Sequence, residues 1–422
     1  MPLNLSGFDN VLKEFYEPPL RDTLNNDIPL FKVLDASDKE FSGRRVVFPV
    51  KTSRNAGVGA RAENGALPTA GNQGYSLAVV SATYQYGRVQ VSGPTLQAGK
   101  NAFVTAMSSE MEGLVNDLKV DLGRQSWGTG DGRLAQIGAD TSGSLVTVYN
   151  RFAESGQPGA RYISQGQLLD FGSVADSTLA YTSASVVSVA LSTTPATTTD
   201  TVTVSMTSSF AASQCDTFIF NRGAGGVGVE MMGLQALVDV FSQDNYWNTT
   251  AFASATVQNI SRQTVDRWNC QILDNSGTNR LIDSNLMQSA FDAIHIETGK
   301  EPDLIMGEHS VVRALLDSVA SDRRYVSSGA PKYDAGTSGL SYNGVQIEKD
   351  RLAPYNTLFV GCKDALKMYT LLDFQWADED GAVLNRIAST DAFEAFFKTY
   401  RNIGVDGNPK SLLMVRDIRT DL

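Results

Sequence analysis

From Phe41 to Gln125 the chain runs through an apolar segment, a long glycine-rich stretch, a second apolar segment and then a helical stripe, and few folds accept that order. The first segment is Arg45-Val46-Val47-Phe48-Pro49-Val50. The chain then passes Gly57, Gly59, Gly65, Gly71 and Gly74 with no hydrophobic period, and returns along Leu77 to Val89. Two apolar limbs around an unpatterned glycine-rich tip predict an extended β-hairpin arm. At about 3.3 Å per residue, either limb reaches roughly 40 Å from its root. A two-stranded ribbon of that length is marginal in water and needs a surface to lie on. The economical source of that surface is a neighbouring copy of the same chain.

A helix is expected next, from about Asn101 to Gln125. Phe103, Met107, Met111, Leu114, Leu118 and Leu122 recur at steps of three and four, with Val104 and Val115 widening the stripe. Pro94 precedes it, and the glycines from Gly128 onward stop it. At 1.5 Å per residue it is roughly 37 Å long.

Residues 140 to about 222 change character. Ser and Thr dominate, and short β-branched runs alternate with turns: Leu145 to Val148, Ser185 to Val189, Thr201 to Val204 and Thr217 to Phe220. Regularly spaced short strands point to a β-rich insertion or small barrel-like unit. From about Leu281 the pattern turns α/β. Ser284 is placed as the cap of a helix carrying Leu286, Ala290, Phe291 and Ile294, which Gly299 ends. A strand at Asp303 to Met306, a helix from Val311 to Val319 and strands at Val345 to Ile347 and Thr357 to Val360 follow. Residues 1 to 40 read as an extended arm, ordered by what it touches.

Composition narrows the function. The 422 residues carry a net charge of −11, which disfavours a dedicated nucleic-acid binder, since such proteins present a positive patch to phosphates. The pairs Arg44-Arg45 and Arg323-Arg324 are short solvated faces. Cys215, Cys270 and Cys362 are odd in number and far apart, so they form neither a disulfide framework nor a zinc spacing and read as small buried hydrophobes. No run approaches the roughly 20 apolar residues of a membrane span. The start, Met1 to Leu5, lacks the basic and apolar regions of a secretory signal, so cytoplasmic synthesis is expected.

No catalytic or metal-ligating constellation stands out, and no cofactor is expected. One motif needs weighing. Gly223-Ala224-Gly225-Gly226-Val227-Gly228 satisfies G-x-G-x-x-G, follows the strand-like Thr217 to Phe220 and precedes a helix-like Glu230 to Phe241. A dinucleotide fold uses that order to bring backbone amides to a pyrophosphate, with Asp239 or Asp244 as the ribose-binding acid. The β-rich, helix-free stretch before it does not continue as β-α-β, which favours a plain glycine turn.

In their order along the chain, these residues resemble the major capsid proteins of tailed double-stranded-DNA bacteriophages. The arm carries the likeness first. Val91-Ser92-Gly93-Pro94, Glu110 to Leu114, Asp121-Leu122-Gly123-Arg124-Gln125 and Trp127-Gly128-Thr129-Gly130-Asp131-Gly132 follow, a long spine helix closing in a Gly-x-Gly-x-Gly turn. Glu301 to Met306, Leu315 to Ser318, Arg323-Arg324-Tyr325, Ser341 to Ile347 and Leu358 to Gly361 extend it over most of the chain outside the β-rich middle.

The resemblance implies an α+β fold divided into an N-terminal arm (1–40), an extended loop (41–92), the spine helix of a peripheral domain (93–139), a β-rich insertion (140–265), and an axial domain with the remaining peripheral strands (266–422). It implies hexamers and pentamers of one chain closing into an icosahedral shell around DNA that is enclosed non-specifically. A portal protein, and scaffolding or decoration proteins, are its further partners. An encapsulin-type cargo shell is the alternative within that fold, and a nucleotide-dependent enzyme on the Gly223–Gly228 turn is the alternative outside it. Some relatives crosslink through a lysine near the loop tip. Residues 57 to 74 here hold Arg61 and Glu63 but no lysine, so the shell is expected to be noncovalent. With only about 40 residues before the arm, scaffolding is expected to be a separate protein rather than a fused domain. Arg61, Glu63, Tyr84 and Tyr86 are the candidate subunit-interface residues.

Overall fold

The computed structural model describes residues 28–37, 39–92, 100–137, 142–149, 159–172, 179–191, 200–205, 210–211, 218–224, 229–239, 256–320, 340–378, 385–387 and 390–420. Residues 1 to 27 of the expected 1–40 arm, Cys215, Asp244 and the Arg323-Arg324 pair lie outside them, and the described end of that arm is a short helix, Pro29–Val33, that buries Leu30 and Phe31 in the main core.

The hairpin forms where the apolar limbs are, but it is shorter than the limbs. Arg45–Lys51 pairs antiparallel with Tyr75–Ser81 in continuous register, from Arg45 opposite Ser81 to Lys51 opposite Tyr75. The returning limb then leaves the ribbon. Thr83–Ser92 joins a different sheet, lying antiparallel along Ala392–Val405 from Thr83 opposite Arg401 to Ser92 opposite Ala392. Leu366–Trp376 flanks the other side of that central strand.

The ribbon finds its first surface within its own chain. Val46, Phe48, Ala78 and Val80 alternate inward and join the main core. The Phe48 ring lies parallel to Tyr369 at 6.2 Å. A ribbon of seven pairs is therefore anchored on one face, and the other face remains open.

The spine helix spans Lys100–Trp127. Of the expected stripe, Leu114, Val115, Leu118 and Leu122 meet the core, whereas the side chains of Phe103, Met107 and Met111 lie outside the described set. The helix crosses Thr83–Ser92 at Gly87, where a side chain would run into Leu114 and Leu118. Gly130 and Gly132, with φ of +77° and +78°, turn the chain out of the helix through conformations that a β-carbon disfavours.

That turn feeds the β-rich unit, which begins at Arg133, straight after the turn. Arg133–Ile137, Leu145–Tyr149, Asp200–Ser205, Leu179–Ala190, Leu168–Gly172 and Phe218–Asn221 pair in that cyclic order, the last returning to the first. The six strands close into an antiparallel barrel, with the short pair Ser142–Gly143 and Phe210–Ala211 attached beside it. Val146 and Val148, Leu169 and Phe171, Ala184 and Val186, and Val202 and Val204 point inward at period two and fill it.

The C-terminal part centres on a six-stranded sheet ordered Gln271–Leu273, Leu412–Val415, Leu358–Gly361, Leu304–Gly307, Val345–Lys349, Ser341–Tyr342. Both of its faces are covered, which is why its inner strands read as unbroken apolar runs. Ile305, Val360, Leu413 and Val415 pack with the helices Ser284–Thr298 and His309–Ala320. Leu304, Met306, Phe359 and Met414 face the main core. The first of these helices is capped by Asp283 rather than Ser284, its carboxylate accepting from the Leu286 amide at 2.8 Å, and ends at Gly299 with φ of +70°. Cys270 and Cys362 are buried free thiols, and burial pushes each up to about 11.

Gly233 sits where the chain returns from the barrel against the end of the spine helix. A methyl group there would overlap the Gln125 carbonyl and the Gly128 backbone. Replacing Gly233→Ala is expected to lower stability by about 1–3 kcal/mol, since rigid backbone cannot yield as a side chain can. Denaturant unfolding of the two proteins measures this directly.

Candidate functional site

Two regions stand out once the elements are placed: a buried junction at the end of the spine helix, and the exposed surface of the hairpin and the strand after it.

At the junction the helix, barrel and both large sheets meet. Trp127 is fully buried, donates its indole N–H to Asp350 Oδ2 at 2.7 Å and packs on Phe359 at 5.3 Å. One turn earlier, Arg124 bonds Glu230 with both terminal nitrogens, at 2.9 and 2.5 Å, and reaches Asp121 from Nε and Nη2 at 3.2 and 2.7 Å. Burial works against this charge. The Glu230 and Asp121 carboxylates overcome it and hold the guanidinium well above its ordinary value. Gln125 Nε2 donates to Asp121 Oδ2 at 2.8 Å, and Gln125 Oε1 accepts from the Met231 amide at 3.3 Å. Asn221 at the barrel's last strand donates to Asp121 Oδ1 at 3.1 Å. Below them Asp131 and Arg133 pair at 2.7 Å while Arg133 lies over the Phe218 ring at 3.9 Å. Together these bonds make the region a joint between elements.

The Gly223 turn lies on the rim of this joint, and its described residues are not laid out as a β-α-β nucleotide cradle. Phe218–Asn221 runs antiparallel to both its neighbours, so no parallel β-α-β crossover follows it. The Gly223 amide already donates to Asp170 Oδ2 at 2.7 Å, the Arg222 amide to Leu168 O and the Ala224 amide to Asn221 O. The adjoining cavity of about 440 Å³ is bordered by Asp121, Glu230 and Arg222. Of the expected helix from Glu230 to Phe241, only Leu234–Leu237 is helical among the described residues, and Gly225 to Gly228 lie outside them. No group of three His, Cys, Asp or Glu side chains that would hold a metal gathers among the described residues. Nor is any described helix long and apolar enough to cross a membrane.

The exposed surface is apolar where a monomer would be polar. On the open face of the ribbon, Val47, Leu77 and Tyr75 are 50%, 56% and 63% exposed, with Pro49 beside Leu77. At the tip, Val58 and Leu67 are more exposed still. Arg61 and Glu63 are exposed there too. Arg61 is engaged locally, donating from Nε to Ala66 O at 3.1 Å and from Nη1 to Ala60 O at 3.0 Å, so it braces the tip it stands on. Tyr84 and Tyr86 share one face of their strand and pack edge-on against Tyr400, at 4.9 and 6.1 Å, with Phe396 at 6.4 Å from Tyr86. Both stay about half exposed, so the four rings form an aromatic platform inside the chain with an open side. Sequence reasoning found the two tyrosines but not their partners, nor the Val47–Leu77 stripe. The unbroken apolar run of Val46 to Val50, which supplies both faces of a strand, held that second signal.

This architecture is the tailed-phage major capsid fold. The chain superposes on a protein of the cyanophage A-1(L) capsid asymmetric unit over 93% of each chain, with a TM-score of 0.55 and 13% identity. It superposes on the capsid of a native GTA particle over 93% of this chain and 90% of that one, with a TM-score of 0.50 and 7% identity. No protein-family model and no curated protein sequence matches the chain.

The joint is testable by its electrostatics. Arg124→Met leaves Glu230 buried without its partner and is expected to cost about 3–5 kcal/mol. Adding Glu230→Leu removes the stranded charge and should recover most of that loss. Urea melts of the two single variants and the double supply the comparison.

Proposed function

We propose that this chain is the structural subunit of a phage-type capsid, assembling as hexamers and pentamers into an icosahedral shell around double-stranded DNA, without covalent crosslinks. The observation that supports this most directly is a capsid fold spanning nearly the whole chain with an apolar ribbon face that the chain itself leaves open. A stripe of this kind on a monomer is an aggregation hazard unless another surface covers it. A second copy is the partner that a one-chain shell supplies. In this reading the ribbon's open face and the Tyr84–Tyr86 platform lie against neighbours, and Arg61 and Glu63 meet charges across a capsomer boundary. Assembly follows synthesis in the host cytoplasm, with a portal and any scaffolding or decoration proteins as separate chains.

The net charge of −11 fits this use. It keeps free subunits apart until complementary surfaces meet and discourages adhesion of DNA over the wall as a whole.

The test is electron microscopy of the purified chain beside the variant Val47→Asp/Leu77→Asp. Wild type should give closed shells or rings of five and six. The variant should lose most particles while its unfolding free energy falls by no more than about 1–2 kcal/mol, because both positions are half exposed in the subunit and Asp is a poor strand former. Equal particle yield from the two proteins would sink the assigned interface. Assembled wild-type particles boiled in detergent should run as a single band at the 45.5 kDa monomer mass. A ladder of higher bands would overturn the noncovalent shell.

A further inference from the structure

Asparagine followed by glycine is a chemically fragile pair, because glycine has no side chain to shield its backbone nitrogen from the asparagine carboxamide. The pair occurs in this chain at Asn64-Gly65 and at Asn343-Gly344. Both asparagines are exposed, and both hold left-handed backbone, with φ of +64° and +48°. Their surroundings differ.

Asn343 sits at the turn of a braced hairpin. Ser341–Tyr342 and Val345–Lys349 pair on either side of it, Ser341 opposite Gln346 and Tyr342 opposite Val345. The Tyr342 hydroxyl donates to Gln288 Oε1 at 3.0 Å and its ring meets Phe291 edge-on at 5.3 Å, which fastens the hairpin to the Ser284–Thr298 helix. Asn343 Nδ2 lies 3.5 Å from the same Gln288 oxygen. Asn64 stands instead at the ribbon tip, where residues 52 to 74 form neither strand nor helix. Among the described residues, the Gly65 amide donating to Ala62 O at 2.9 Å is the one backbone-to-backbone hydrogen bond from residue 54 to residue 73. A turn held by one exposed bond opens at small cost in free energy, and opening frees the Gly65 nitrogen to face Asn64 Cγ.

We propose that Asn64-Gly65 is a self-modification site, at which the Gly65 backbone nitrogen and water convert the Asn64 carboxamide to a carboxylate. The nitrogen loses its proton and bonds to Asn64 Cγ. The Cγ–Nδ2 bond breaks, and ammonia leaves with that proton, closing a five-membered imide. Water then opens the imide. Attack at the main-chain carbonyl leaves isoaspartate, with the chain running through the β-carbon, and attack at Cγ leaves aspartate. The sum is one water consumed and one ammonia released, with no change of oxidation state. Arg61 and Glu63 are the charged residues between positions 55 and 74 and cancel each other, so the conversion leaves that stretch with a net negative charge. Isoaspartate also lengthens the main chain inside the segment that Arg61 braces through Ala66 O. The inference concerns the single chain and stands whether or not it forms shells.

The experiment incubates the full-length protein at mildly alkaline pH and follows both sites over time by peptide mass spectrometry, with aspartate and isoaspartate forms separated by chromatography. Asn64 is expected to convert about tenfold or more faster than Asn343, with isoaspartate among its products. Equal rates at the two sites in the folded protein would overturn the assignment, and aspartate as the sole product would overturn the imide route. In urea that unfolds the chain the two sites should converge in rate. A difference that persists there belongs to the neighbouring sequence and refutes the structural argument. Gly65→Ala sets a methyl group beside the attacking nitrogen and should slow conversion at residue 64 by about tenfold while leaving Asn343 unchanged. Unaltered conversion in that variant would remove Gly65 as the nucleophile.

Discussion

The buried ion pair between Arg124 and Glu230 is the constraint on which the rest of the subunit depends. It ties the last turn of the spine helix to the segment that returns from the barrel. Trp127, less than one turn further on, ties the same helix end to Asp350 beside the six-stranded sheet. A helix of 28 residues is a long lever, and errors at its end would propagate into every element attached there. Burial makes each bond directional and each missing partner costly, so the joint admits one arrangement of the helix, the barrel and the sheet. Gly233 and Gly130 complete it by allowing backbone to approach backbone where side chains would not fit.

Much of the fold was legible because the sequence signals were local. An apolar run marks Val46 to Val50, steps of three and four mark Leu114 to Leu122, and Gly299 marks a helix end. What was not legible depends on distant pairing. Ala392–Val405, the central strand of its sheet, has no clean alternation, because it is flanked on both sides and buried along much of both faces. Barrel closure rests on Asp200–Ser205 meeting Leu145–Tyr149, a pairing that no composition reveals. The ribbon was expected to depend on a neighbour along its whole length. Instead Phe48 and Ala78 bury its inner face on Tyr369 and the core around it, residues far away in sequence.

The candidate surface was half visible for the same reason. Tyr84 and Tyr86 declared a shared face through their spacing, whereas Tyr400 and Phe396 join them only across the sheet. Arg61 and Glu63 stand out in the sequence as charges at a tip, and the structure gives Arg61 a further role in shaping that tip. The glycine motif shows the opposite case. Its spacing is suggestive, but strand direction and the Asp170 carboxylate on the Gly223 amide weigh against it, and neither is encoded in the motif.

The closed barrel has a consequence for how such a chain changes over generations. It leaves the spine helix through one turn and returns near the same helix end, so both connections sit at a single hinge of the architecture. Strands that satisfy one another around a ring ask little of the scaffold that carries them. Such a unit behaves as a cassette: its loops can lengthen or shrink, and its outer residues can drift, while the geometry of the host fold is conserved. Changes within the ring then leave the helix end and the sheets around it in place.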